Sequence, residues 1–183
     1  AKSSAASDVY KRQDLRGDKH TIWEGGVKVP FIARWPGFIE EGSVSDRMIN
    51  LVDIYATIQE LVKGEILPAA DAASDSFSFY DELIGKRQAS SLRPHMVFND
   101  ASGVKAIRKG PWKYIEGVPA APLSEARRKN LDSGKPQLYR LDEDGAETEN
   151  RINDQAEVYQ DLQNTLDQIR DLGSERISVQ EIN

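Results

Sequence analysis

The chain has 183 residues, 39% of them hydrophobic and 30% charged, which fits one soluble, folded domain of ordinary size. A formal net charge of −6 argues against nucleic acid as a partner, because phosphate contacts need basic surface. No apolar run reaches the length of a membrane span, and the absence of cysteine excludes disulfides and thiolate metal sites.

In chain order, residues 1–13 form a small polar stub that is not expected to pack. Its end, DVYKRQ, resembles the translated end of a sequencing-library adapter, so 1–13 is set apart as a non-native or disordered segment. Next comes LRGDKHTIWEGGVKVP, from Leu15 to Pro30. Gly17 suits a turn, and Gly25 and Gly26 permit positive φ or close backbone approach. Lys19, held between these points, can be aimed at an anion as a compact charge. By residue type alone, a solvated surface lysine is the commoner outcome. Val29 to Trp35 (VPFIARW), ended by Pro36-Gly37, reads as a buried strand and a turn. Asp53 is expected to cap a helix from Ile54 to Lys63, closed by Gly64, with Ile54, Ile58, Leu61 and Val62 at helical spacing. Pro68 to Ser76 reads as a loop, and Asp81 to Ile84 as a short helical turn.

Four strands are predicted after that: His95–Asn99, Val104–Arg108, Trp112–Glu116 and Gln137–Leu141. Gly103 and Gly110-Pro111 mark turns, and a long connection runs from Glu116 to Pro136. These strands suit a small antiparallel sheet with alternating polar and apolar faces. Gln155 to Leu172 reads as an amphipathic helix, with Val158, Leu162, Leu166 and Ile169 on one stripe and Gly173 at its end. Asn99 and Asp100 fall at a strand-to-strand turn, where local hydrogen bonding favours them. The run DEDGAETE, Asp142 to Glu149, lacks the spacing of a calcium loop and reads as a solvated acidic turn. Trp35 and Trp112 read as packing residues.

The Leu15–Pro30 segment closely resembles the sulfatase family, in which a lysine stands five residues ahead of an aromatic-Glu-Gly-Gly-Val-Arg-Val-Pro segment. Here the positions are Lys19, Trp23, Glu24, Gly25, Gly26, Val27, Lys28, Val29 and Pro30. The resemblance continues through FIARWPGFIEEGSVSDRMINLVDIYATIQELV, VKAIRKGPWKYI and QLYRLDEDGAETEN, in the family's order. It implies an α/β fold, the C-terminal part of an alkaline phosphatase-like sulfatase, with a small antiparallel sheet plus a C-terminal helix. It also implies that 14–90 ends the catalytic domain and 91–183 forms a small α+β subdomain. Lys28 departs from the family's arginine, and a lysine would weaken any bidentate contact made there.

The resemblance further implies hydrolysis of sulfate esters, of aryl or carbohydrate type, by a formylglycine nucleophile with calcium. The matching lysine contacts the sulfate group, which makes Lys19 the first candidate site residue. His20, beside it, and His95, at the start of a predicted strand, are candidates for the substrate pocket, and for both a plain structural or surface role is the competing reading. Neither the family's Cys/Ser-x-Pro-x-Arg nucleophile motif nor its calcium ligands occur here. The chain therefore looks like a C-terminal portion, expected to be inactive alone, from a parent expected in the periplasm or secreted. A phosphonate monoester hydrolase or phosphodiesterase of the same superfamily, and a non-catalytic remnant, are the alternatives.

Overall fold

The computed structural model describes residues 14–64, 73–86, 93–100, 103–117 and 134–175, so the 1–13 stub and most of the Glu116–Pro136 connection lie outside the described residues. The chain forms two compact units that interleave along the sequence. One comprises Ala1–Val29 and Val97–Leu166, the other Pro30–Met96 and Asp167–Asn183.

The first unit is organised by a four-stranded sheet of order β1-β2-β3-β4, with β1 Met96–Asn99, β2 Lys105–Lys109, β3 Trp112–Ile115 and β4 Gln137–Arg140. Gly110, at φ 57°, makes the tight β2–β3 connection, and the two strands pair antiparallel with Ile107 opposite Tyr114. β3 and β4 are also antiparallel, with Lys113 opposite Tyr139. Strand side chains alternate and cross-strand partners share a face. Ala106, Arg108, Lys113, Ile115, Gln137 and Tyr139 therefore line one face, and Ile107, Tyr114 and Leu138 the other.

Both faces are buried, contrary to the alternation expected from the sequence. The first packs with Ile22 and Trp23 in a core shared with Val104, Ala106, Ile115 and Tyr139. On the second face Tyr114 meets Tyr159 edge-on at 5.4 Å. Tyr159 belongs to helix α4 (Ala156–Leu172), which buries Leu162 and Leu166. Fully burying one such side chain is worth about 1.5–3 kcal/mol, so covering both faces adds several such terms.

The second unit holds helix α2 (Asp53–Lys63) and the single helical turn α3 (Tyr80–Leu83); helix α1 (Glu24–Val27) belongs to the first. Gly64 closes α2 in the left-handed region, donating to the Glu60 carbonyl at 2.7 Å. Asp53 is the first helical residue rather than the cap. Its carboxylate accepts from Asn50 N–H at 2.7 Å and Phe77 N–H at 2.9 Å. Arg93 grips the same carboxylate at 2.5 and 3.0 Å and reaches Glu175 at 2.6 Å, all three residues being buried. Ser76 Oγ accepts from Ala56 N–H, and Thr57 Oγ1 accepts from Phe79 N–H. The helix is thus docked through its polar side. The predicted apolar stripe points outward, with Ile58 53%, Leu61 44% and Val62 75% exposed.

A second expectation also fails here. Val29–Trp35 is not a strand and is not buried, with Ile32 91% exposed. Among the described residues no strand lies alongside it, so its backbone has no ladder to join. The Pro36-Gly37 turn is present, with Gly37 at φ 84° and Trp35 stacked on Phe38 at 4.1 Å.

Candidate functional site

The Lys19 segment folds as a tight turn clamped onto helix α1. Asp18 O accepts from Thr21 N–H at 3.0 Å and from Thr21 Oγ1 at 2.6 Å, and Thr21 Oγ1 in turn accepts from Asp18 N–H at 3.0 Å. Gly25 N–H donates to Arg16 O at 2.8 Å. The paired glycines are there because the turn and helix touch backbone to backbone. A Cβ at Gly25 would lie 2.3 Å from Gly17 O, and one at Gly26 2.2 Å from Thr21 O. Lys19 and His20 share the exposed tip, and His20 has the left-handed φ of 79°. Among the described residues none engages the Lys19 ammonium.

Behind the tip stands a buried polar scaffold. The Arg16 guanidinium lies 4.1 Å from the Trp23 ring centre and donates to Tyr139 Oη at 2.8 Å and to Glu147 O at 3.0 Å. Trp23 Nε1–H and Tyr139 Oη–H both donate to Gln137 Oε1, at 3.1 and 2.7 Å. Lys113, wholly buried on β3, places its ammonium 3.0 Å from Glu24 Oε1 and 2.8 Å from Glu147 Oε1. Glu147 Oε2 accepts from the Glu24 N–H at 2.6 Å, at the start of α1. One cation between two carboxylates is a costly arrangement to bury unless every partner is in place. Burial pushes the Glu147 carboxyl above its usual range, reinforced by the charge of Glu24 and opposed by Lys113 and the Glu24 N–H.

The sequence reading missed this scaffold. The acidic run was expected to be solvated, and Asp142 and Glu143 are exposed, but Glu147 is 0% exposed and carries a left-handed φ of 54°. It is buried because Lys113 is. Lys113 shares a sheet face with Ile115, two residues on, and that inward parity was the signal that could have found it. Asp144, in the same loop, is also local structure. Its desolvation is outweighed by hydrogen bonds from Glu149 N–H, Thr148 N–H and Thr148 Oγ1, and its carboxyl is held below the usual range.

His95 lies in the other unit, 3% exposed, with its carbonyl accepting from Arg93 and Nε2 4.0 Å from Glu175. Among the described residues no group of three or more His, Asp or Glu side chains is placed to hold a metal ion. The carboxylates of Glu24 and Glu147 already enclose the Lys113 ammonium. The described residues therefore do not fit the calcium of the family resemblance.

No family model matches the chain. Among curated proteins, it is 33% identical over 156 residues to an N-acetylgalactosamine-6-O-sulfatase of Bacteroides thetaiotaomicron, an alignment covering 85% of this chain and 30% of that protein. It is 29% identical to an ulvan-active sulfatase of Formosa agariphila and 28% identical to human arylsulfatase A, each over 85% of the chain and about a third of the relative, 31% and 32%. A solved structure from work on the metabolism of multiple glycosaminoglycans by Bacteroides thetaiotaomicron superposes with a TM-score of 0.73 at 32% identity, covering 86% of this chain and 32% of that one. The chain thus spans about a third of the length of the relatives it matches. Sequence and fold agree over the same large share of the chain, and the chain belongs to the sulfatase family.

Proposed function

We propose that this chain is part of an enzyme that hydrolyses sulfate esters, and that Lys19 is its sulfate contact. The observation carrying the reading is the exposed, glycine-clamped turn that presents Lys19, within a chain whose relatives are named as sulfatases. Two of those relatives are named for N-acetylgalactosamine-6-O-sulfate and ulvan, which supports a carbohydrate ester ahead of an aryl one. In this reading a formylglycine nucleophile and calcium act in the longer enzyme, 14–90 completes its catalytic domain and 91–183 forms a subdomain. This chain alone has no turnover.

Lys19 supplies electrostatic stabilisation. An ammonium held against a non-bridging sulfate oxygen offsets the charge that builds as the ester bond breaks, and it acts best when preorganised. The 16–21 turn provides that preorganisation. His20 shares the tip and is the second residue placed to meet the substrate. His95, enclosed beside Arg93 and Glu175, supports its own unit in this reading.

The test is Lys19→Ala in the longer enzyme carrying this sequence. Because Lys19 is exposed, folding should be unchanged, while sulfate-ester turnover falls by about 10²–10³. Lys19→Arg should recover part of the rate. Near-normal kcat in Lys19→Ala with an intact circular dichroism spectrum would assign the wrong lysine.

A further inference from the structure

Glu147 lies more than a hundred residues from the Lys19 turn along the chain, yet contacts Arg16 at the start of the turn and Glu24 on the helix to which the turn is clamped. Its Oε2 takes the Glu24 N–H at 2.6 Å, and its carbonyl takes Arg16 at 3.0 Å. Arg16 and Glu24 flank the turn, and the Arg16 carbonyl holds Gly25 N–H across it. The remaining carboxylate oxygen is tied to Lys113 on β3, so the contact runs back to the sheet. Glu147 keeps the left-handed φ of 54° with a side chain other than glycine, a conformation that persists only where the surroundings fix it. Nothing in the chemistry of sulfate transfer uses Glu147 itself, since it is 0% exposed.

We propose that Glu147 is a positioning residue: by accepting the Glu24 N–H and the Arg16 guanidinium it sets the pose of the 16–21 turn, and so of Lys19, for a sulfate anion. This rests on the reading of Lys19 as the sulfate contact. Its physical content is preorganisation. A lysine on a loosely held turn must be ordered when the anion binds, and that ordering weakens affinity.

Three substitutions separate this role from bulk stability. Glu147→Gln keeps an acceptor for the Glu24 N–H and leaves Lys113 and Glu24 as a neutral pair. Glu147→Ala removes the acceptor. Glu147→Asp keeps the charge but is one methylene too short to reach the same N–H, and serves if the alanine variant does not fold.

The experiment titrates the full 183-residue chain with inorganic sulfate and follows the amide resonances of Lys19 and His20, with Ile107 and Tyr114 on the sheet as the folding control. Wild type should respond saturably and Lys19→Ala should not. Glu147→Ala, or Glu147→Asp, should weaken the response about tenfold or more with the sheet resonances in place, and Glu147→Gln should restore it to within about threefold, as expected for a preorganised contact. Wild-type affinity in Glu147→Ala or Glu147→Asp overturns the positioning role, as does a glutamine variant as weak as alanine. A wild-type chain that does not respond, or a Lys19→Ala chain that responds like wild type, overturns the Lys19 reading and with it this proposal.

Discussion

Replacing Lys113 by methionine removes the cation that pairs with both Glu24 and Glu147 while roughly conserving volume. Lys113 is 0% exposed and Glu147 is 0% exposed, so water cannot take over the lost contacts of 3.0 and 2.8 Å. Two carboxylates are left facing each other in the space the ammonium occupied. Breaking a buried ion pair from one side costs about 3–5 kcal/mol. That is a large part of the 5–15 kcal/mol or so that holds a typical domain. The cost should depend on pH in a defined direction. A carboxyl raised by burial binds more protons in the folded state than in the unfolded one. Its contribution is complete below the unfolded value of 4.5 and is lost as pH rises through the raised folded value. Without Lys113 this penalty is unopposed, so Lys113→Met should be mildly destabilised in acid and severely so near neutrality. Urea unfolding followed by amide exchange at Ile107 and Tyr114 measures it. Adding Glu24→Gln and Glu147→Gln should recover most of the loss. A penalty below about 1 kcal/mol near neutral pH, or one equal in acid, would show that the cluster is not the electrostatic unit described.

Two glycines should respond very differently to alanine. Gly25→Ala drives a Cβ to 2.3 Å from a backbone oxygen that cannot move alone, and should cost about 3 kcal/mol or more in an unfolding titration. Gly64→Ala meets nothing within 4 Å and pays only for its φ of 75°, about 1–2 kcal/mol; similar losses at both sites would refute the clamped-turn geometry. Asp144→Asn should reduce stability near neutral pH, and the difference from wild type should shrink as pH falls below 3.8 through the depressed folded value, because a lowered carboxyl contributes above its unfolded pKa; a pH-independent difference would contradict that cause. Ile58→Lys with Val62→Glu places charge on the outward stripe of α2, and should change stability by less than about 0.5 kcal/mol in a urea titration. A large loss of stability would mean that the stripe is packed.

Local signals in the chain carried the second half of the fold. Short β-rich runs separated by Gly103 and Gly110 mark β1 to β3, and the three- and four-residue recurrence of Leu162, Leu166 and Ile169 marks α4, because strand parity and helix period are written residue by residue. Gly25 and Gly26 likewise announce a close approach, and the motif around Lys19 announces its family. What no local pattern contains is which surface meets which. Val29–Trp35 has the composition of a buried strand, but a strand exists only beside another strand, and among the described residues none adjoins it. Helix α2 has a sound apolar stripe, yet Asp53, Ser76 and Arg93 dock it by the opposite face. Glu147 looked solvated inside an acidic run, and only the sheet, by turning Lys113 inward, drew it under cover. A buried charge must find its counter-charge wherever the chain can supply one, so that pairing is decided in three dimensions.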